Sequence, residues 1–275
     1  MSAFHRVGTT ALGICAELKS AWTHCQRRSF LRYGADVFAY RYMRFRRPRK
    51  YDEIRCIAFK DGVRLAYRLN RADIQTVREV WFNETYRLPF ELPGSGGTLV
   101  DLGGNIGHAT VYLTRRYGFT RVAIIEPVAE NAALARINCE LNGIDAEIVQ
   151  AAIAPRAGEV NFALDNLHNQ GRVDTTSTDG IRVKATTVPD VVGASGTIRL
   201  VKMDIEGGEG QLLREEAGWL TRVVALVAEF HPTIVDCAQL VDVVKRHGFA
   251  FFPVGSVHPL STDAFLRDVR LEEAG

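Results

Sequence analysis

With 275 residues, 47% of them hydrophobic, the chain is long enough to bury a complete α/β core. No run approaches the roughly 18 uninterrupted apolar residues of a spanning helix, and Val7–Leu18, preceded by a lone Arg6 and followed by no small-residue cleavage site, does not read as a signal peptide. Five scattered cysteines (15, 25, 56, 139 and 237) without a C-x-x-C pair argue against a disulfide framework or a structural zinc, so a cytoplasmic protein with no metal is expected.

The net charge is +2 but uneven. Eleven Lys/Arg against two acids give residues 1–50 a net +9, which leaves −7 for the rest of the chain. Aromatics lie among the arginines from Phe30 to Phe45. Such a segment is either a solvated, partly helical or disordered leader, or a contact for an anionic membrane surface, a nucleic acid or an acidic carrier protein. Ile54–Phe59 and Val63–Leu69 flank Asp61-Gly62, a hairpin signal. Asp73 is placed to cap a helix running through Val77, Val80 and Trp81 towards Tyr86. Pro89–Gly97 is a boundary loop. The expected division is a basic leader (1–50), a hairpin-and-helix N-terminal cap (51–97) and a core (98–275).

The core opens with the most informative stretch. The apolar run Thr98–Val100 leads into Asp101-Leu102-Gly103-Gly104-Asn105-Ile106-Gly107, a helix follows to Tyr117, and Arg121–Ile125 ends on Glu126. Strand, glycine loop, helix, strand and acid is the order by which a doubly wound sheet holds a nucleoside. Glu126 lies 19 residues beyond Gly107, near the ~20 expected of an acid that accepts from ribose hydroxyls. A dinucleotide loop counted from Gly103 needs glycines at 105 and 108, where this chain has Asn105 and His108. Asp101 would repel a diphosphate and can pair with an ammonium. The loop residues Asp101, Gly103, Gly104, Asn105 and Gly107 thus favour S-adenosylmethionine over NAD. A nicotinamide-dependent oxidoreductase and a non-enzymatic nucleic-acid or membrane-surface module stay as alternatives.

Further on, Val128–Leu141 reads as a helix stopped by Asn142-Gly143, and Glu147–Gln150 as the third strand. Adenine is expected near Ala151 and Ala152. Glu159–Leu164 and Ile181–Ala185 are strands around a long polar loop, Asp165–Gly180. Ile198–Asp204 is a buried strand, followed by a helix to about Trp219. Val223–Phe230 is another buried strand, and a helix around Val235–His247 and a strand Phe249–Val254 close the pattern. Alternating strands and helices imply a mostly parallel sheet with ligands at its carboxyl rim.

That rim gathers candidates. Asp204 and Glu206 can orient a methionine ammonium, bind a metal or take a proton, whereas Glu209 reads as a favourable charge at a helix N-terminus. His231 is either a general base near neutral pH or a packed ring bonded to a backbone carbonyl. His108 either meets a cofactor carboxylate or is an exposed helix residue.

Together, Val100–Gly107, Ile125-Glu126-Pro127 with Asn131 and Asn138, Val201-Lys202-Met203-Asp204-Ile205-Glu206-Gly207-Gly208-Glu209 and Ala228-Glu229-Phe230-His231 resemble the FkbM family of S-adenosylmethionine-dependent methyltransferases. The resemblance covers about residues 73–254. It implies a Rossmann-like methyltransferase core and methyl transfer to a hydroxyl oxygen on a sugar, a polyketide or another secondary metabolite. His108 and the Asp174-Thr175-Thr176-Ser177 stretch depart from the family pattern, and the basic leader has no counterpart in it. The resulting expectation is a cytoplasmic O-methyltransferase using S-adenosylmethionine. Its acceptor is a small-molecule or glycan hydroxyl, no specific nucleic acid is bound, and His231 ranks first as base, ahead of Glu206 and Asp204.

Overall fold

The structure is a computed structural model that describes residues 3–43, 53–69, 73–164, 171–173, 180–193, 196–254 and 261–267. Most of the polar loop 165–180, including Asp174-Thr175-Thr176-Ser177, and the basic stretch 44–50 lie outside the described residues. Contacts divide the chain into two units, Met1–Glu84 and Thr85–Gly275.

The first unit contains α1 (Ala3–His24), α2 (Arg27–Met43), β1 (Ile54–Ala58), β2 (Arg64–Arg68) and α3 (Asp73–Val77), which continues as a π-helical turn, Arg78–Phe82. The hairpin forms as expected, with Ile54 opposite Arg68 and Ala58 opposite Arg64. Gly62, at φ 93°, supplies the left-handed turn residue. Helix α2 packs with the hairpin. Tyr33 and Val37 of α2 are buried together with Ile57, Leu65 and Tyr67 of the hairpin. The rings of Tyr33 and Tyr67 meet edge-on at 6.3 Å. Both acids of α1 and α2 turn inward. Tyr33 Oη donates to Glu17 Oε1 at 2.7 Å, and Tyr67 Oη donates to Asp36 Oδ2 at 2.6 Å. Aromatic packing thus joins α2 to the hairpin. The Asp73 carboxylate accepts from the backbone N–H and guanidinium of Arg68, which ties the helix to the hairpin, and the helix stops short of Tyr86.

In the second unit, β3 (Thr98–Leu102), α4 (His108–Tyr117), β4 (Arg121–Ile125), α5 (Ala129–Leu141) and β5 (Ala146–Val149) follow in turn. Next come β6 (Ala152–Ile153), β7 (Gly158–Leu164), β8 (Gly171–Val173), β9 (Ile181–Thr186) and α6 (Val188–Val192). The unit closes with β10 (Ile198–Met203), α7 (Glu209–Glu215), a 3₁₀ turn (Gly218–Arg222), β11 (Val223–Phe230), α8 (Cys237–Arg246), β12 (Phe249–Val254) and β13 (Ser261–Arg267).

A seven-stranded sheet runs β12-β13-β11-β10-β3-β4-β5. It is parallel from β11 to β5 and antiparallel where β13 joins β11 and β12. This is a doubly wound, mostly parallel α/β sheet of Rossmann-like form. All of β10, with Arg199 and Lys202 among its apolar residues, and most of β11 are buried, as strands covered on both faces are. Three expectations change. Strands β7 and β9 belong to a separate four-stranded sheet, β6-β9-β7-β8, in which only the β6–β9 pair is parallel. Their one-sided apolar pattern covers a small cluster of Val128, Ala152 and Phe162. The helix after Glu209 ends at Glu215 and gives way to the 3₁₀ turn. Strand β13, whose short apolar centre is bracketed by polar residues, is an additional element, with Ala264 and Phe265 fully buried.

Arg199 at the start of β10 accounts for the boundary loop. Its guanidinium donates to the carbonyls of Leu92, Pro93, Gly94, Gly96, Tyr117 and Gly118. This single side chain supplies donors to four carbonyls of the loop and ties it to the end of α4.

Candidate functional site

Parallel pairing brings the carboxyl ends of β3, β4, β10 and β11 to one rim. Strand order reverses between β3, which continues to β4 and β5, and β10, which continues to β11. Crevices that hold ligands open at such a reversal. Asp101, Glu126, Asp204 and His231 all sit at or next to this rim, as expected.

The glycine loop is shaped first by the protein itself. A Cβ on Gly103, at φ 76°, would lie 1.9 Å from the Asp204 carbonyl oxygen, and one on Gly104 would lie 2.2 Å from Ile124 Cγ2. Gly103 lets the loop close against the end of β10, and Gly104 lets it close against β4. Gly107 begins α4 in the left-handed conformation. Asn105, at φ 47°, donates its backbone N–H to Glu126 Oε2 at 2.8 Å.

Glu126 is the anchor of this end. Its Oε1 accepts from Val128 N at 2.9 Å and from Asn131 Nδ2 at 3.3 Å. Burial raises its carboxyl to about 7, even though the three donors favour the charged form. A carboxylate has about four acceptor positions, so Glu126 keeps room for a further donor. Asn138 also serves the loop, donating to the Ile106 carbonyl at 2.8 Å. Ala151 and Ala152 are buried next to this end, and Ala152 is part of the Val128–Phe162 cluster.

Asp101 is held by partners within the protein. It has no exposed surface. Lys202 Nζ lies 3.1 Å from its Oδ1, and Thr110 Oγ1 donates to Oδ2 at 2.5 Å. Lys202 is directly opposite Asp101 in the β3–β10 register, so the two side chains share a face of the sheet. The ammonium that Asp101 was expected to meet is thus an internal one, and the case against a diphosphate rests on the absent glycines. Lys202 also donates to the Gly103 carbonyl at 2.7 Å and lies 3.9 Å from Asp204 Oδ2. Burial lowers the tendency of Lys202 to hold its proton, but the attraction of Asp101, Asp204 and Glu229 is greater and raises its pKa. Tyr86 completes the network, its hydroxyl 3.0 Å from Asp204 Oδ2 and 3.4 Å from Glu229 Oε2. Sequence reading gave Lys202 and Tyr86 no site role. A charged residue inside the apolar run Leu200–Met203 was the available signal for Lys202.

At the far end of the rim, His231 is clamped. Its Nε2 is 3.1 Å from Glu206 Oε2, and its Nδ1 is 3.1 Å from Glu209 Oε1. Asp204 Oδ1 lies 3.9 Å from Nε2. Burial alone would lower the histidine pKa. Hydrogen bonds to Glu206 and Glu209 and the charges of Glu209 and Asp204 outweigh it and push the pKa up to about 11. Carboxylates against both ring nitrogens favour its protonated form. Glu206 is held at φ 54°, a left-handed conformation uncommon outside glycine, and burial first of all raises its carboxyl. Glu209 does more than face a helix dipole. It has no exposed side-chain surface, and Oε1 also accepts from Ile205 N at 3.0 Å. His108 is buried, not an exposed helix residue. Asp204, Glu209 and His231 offer ligand atoms within 4.8 Å of one another. A cation there would have to displace a proton from a ring whose two nitrogens already serve carboxylates.

The sequence model of the methyltransferase FkbM domain matches residues 101–251. The chain belongs to the FkbM methyltransferase family. Within that methyltransferase domain fall the glycine loop, Glu126 and the whole Asp204–His231 cluster. The oxidoreductase and non-enzymatic alternatives give way to it. The chain is similar to the crystal structure of methyltransferase FkbM from Methylobacillus flagellatus KT, at 14% identity and TM-score 0.48, over 94% of this chain and 60% of that one. It is similar to a methyltransferase from Pyrococcus furiosus at 15% identity and TM-score 0.40, over 70% of this chain and 83% of that one. It is also similar to TrmK of M. capricolum, solved with S-adenosyl-homocysteine, at 9% identity and TM-score 0.41, over 64% of this chain and 65% of that one. No curated protein matches the sequence.

Proposed function

We propose that this FkbM-family chain transfers a methyl group from S-adenosylmethionine to a hydroxyl oxygen of a sugar, polyketide or other secondary metabolite. The observation that carries the reading is the polarity of the rim. Five carboxylates (Asp101, Asp204, Glu206, Glu209 and Glu229) stand against two cations, Lys202 and His231. A surplus of negative charge suits a cationic sulfonium.

The residues present also fit that cofactor. Asn105 Oδ1 and Asp204 Oδ1 are buried acceptors with no hydrogen-bond partner among the described residues. Buried acceptors without donors are costly unless a ligand supplies them. Glu126 and Asn105 would hold the ribose, Asp204 the methionine ammonium, and the Ala151–Ala152 turn the adenine. When bound, the cofactor supplies the electrophilic methyl group. The protein's part is to align the acceptor oxygen and take its proton. Glu206 is the residue that takes it here. His231 is held protonated and acts by positioning the Glu206 carboxylate, which reverses the order expected from a free histidine. The five cysteines are all free thiols, in keeping with a cytoplasmic setting.

Calorimetry tests the reading. S-adenosylhomocysteine should bind with measurable heat and NAD should not. Comparable NAD binding would reject it.

A further inference from the structure

The outer surface of α2 carries a pattern that the methyltransferase core does not use. Arg28, Leu31, Arg32, Ala35 and Phe38 recur at spacings of one, three and four residues, so they share one face of the helix. All five are exposed, Leu31 at 63% and Phe38 at 58%. The opposite face, with Tyr33, Asp36 and Val37, is buried. Trp22, in the last turn of α1, is 57% exposed and meets the edge of Phe30 in the first turn of α2 at 5.1 Å. Lys60 adds a cation there, its Nζ donating to the carbonyls of Trp22 and Thr23.

Charge on these two helices is sorted as well. Glu17 and Asp36, the acids of residues 3–43, are both buried and bonded to tyrosines. Lys19, Arg27, Arg28 and Arg32 are all exposed. On α1 and α2 the outward face therefore presents cations and large apolar groups and no described acid. No described helix is long and apolar enough to cross a membrane.

We propose that this face of α2, with Trp22, seats on an anionic phospholipid surface. A nucleic acid would match the arginines but leave Leu31 and Phe38 in water. A lipid interface matches both. Phosphates meet the guanidinium groups, the acyl boundary takes Leu31 and Phe38, and an indole favours headgroup depth. An acidic carrier protein would match the charge, and it serves as the competing outcome of the test. The inference is independent of the chemistry of the core.

The test uses the full chain with phosphatidylcholine vesicles, with and without phosphatidylglycerol. Co-sedimentation should require the anionic lipid and weaken with salt. Emission from exposed Trp22 should shift to the blue on binding, while Trp219 is already buried. R28Q/R32Q should weaken vesicle binding roughly 30-fold, from two lost cations. L31D/F38D should abolish both binding and the blue shift while leaving the thermal midpoint and S-adenosylhomocysteine affinity unchanged, since both sites are exposed. Equal binding to neutral vesicles, unchanged affinity in L31D/F38D, or binding to an acidic carrier protein or RNA in place of vesicles would overturn the proposal.

Discussion

Replacing Lys202 by Met tests whether the β3–β10 ion pair organises the site. The substitution keeps most of the apolar stem and removes the charge. Asp101, with no exposed surface, would keep only Thr110 Oγ1 of the partners that hold its two oxygens. Removing one partner of a buried pair costs about 3–5 kcal/mol. The Gly103 carbonyl loses its 2.7 Å donor as well, for roughly 1 kcal/mol more. Against a total stability of about 5–15 kcal/mol, the variant should be marginal. Adding Asp101→Asn removes the stranded charge and should recover about 2 kcal/mol or more, a coupling that a double-mutant cycle isolates. Urea unfolding followed by circular dichroism reads all four proteins. The folded pKa of Lys202 is raised above 10.5, so its stabilisation is complete at neutral pH and is lost only as pH climbs past the folded value. The gap between wild type and variant should therefore hold constant from about pH 6 to pH 9. A Lys202→Met protein within about 1 kcal/mol of wild type, or a double variant that simply sums the singles, would refute the reasoning.

With Glu126 near 7 in the free protein, ribose donors favour its charged form, so S-adenosylhomocysteine affinity should rise with pH through about 7. Glu126→Gln should flatten that profile and weaken binding about 10- to 100-fold at alkaline pH, the value of a hydrogen bond to a charged group. Because the folded pKa is raised, protonation stabilises the fold at low pH and this gain is lost above about 7, so the same variant should be the more stable protein at alkaline pH, by on the order of 3 kcal/mol or less. A pH-independent affinity would count against the ribose role. Nitrogen NMR should find His231 still protonated at pH 8 and its pKa lowered in both Glu206→Gln and Glu209→Gln, whereas a neutral ring in the wild type would return the base role to His231. Once an acceptor is known, Glu206→Gln should lose turnover and retain S-adenosylhomocysteine binding. In the first unit, Tyr67→Phe strands the buried Asp36 carboxyl and should cost about 1–3 kcal/mol in urea unfolding, and no change would show that the pair is incidental.

The sequence by itself determined the strands and helices that build the parallel sheet, from Thr98 to Val149 and from Ile198 to Phe230, the glycine loop and the acid at Glu126, but not β6, β8 or α6. These are local signals: apolar runs of strand length, glycine punctuation and a fixed spacing to the next strand tip. The same signals marked Asp204, Glu206 and His231, because parallel strands bring their carboxyl ends to one rim whatever else the fold does. Tertiary structure alone decided what those residues meet. Asp101 faces Lys202 through the β3–β10 register, a relation between positions 101 residues apart that no local pattern encodes. His231 loses its character as a free base because α7 brings Glu209 against one nitrogen while the turn before it brings Glu206 against the other. Strand β13 and the second sheet were hidden for a related reason. Pairing partners supply the burial that a short or mixed apolar run does not advertise, so Ser261–Arg267 becomes a strand only between β11 and β12. Likewise α2 reads as a basic segment until the hairpin buries Tyr33 and Asp36 and leaves Leu31 and Phe38 outside, since only packing determines which face of a helix turns inward.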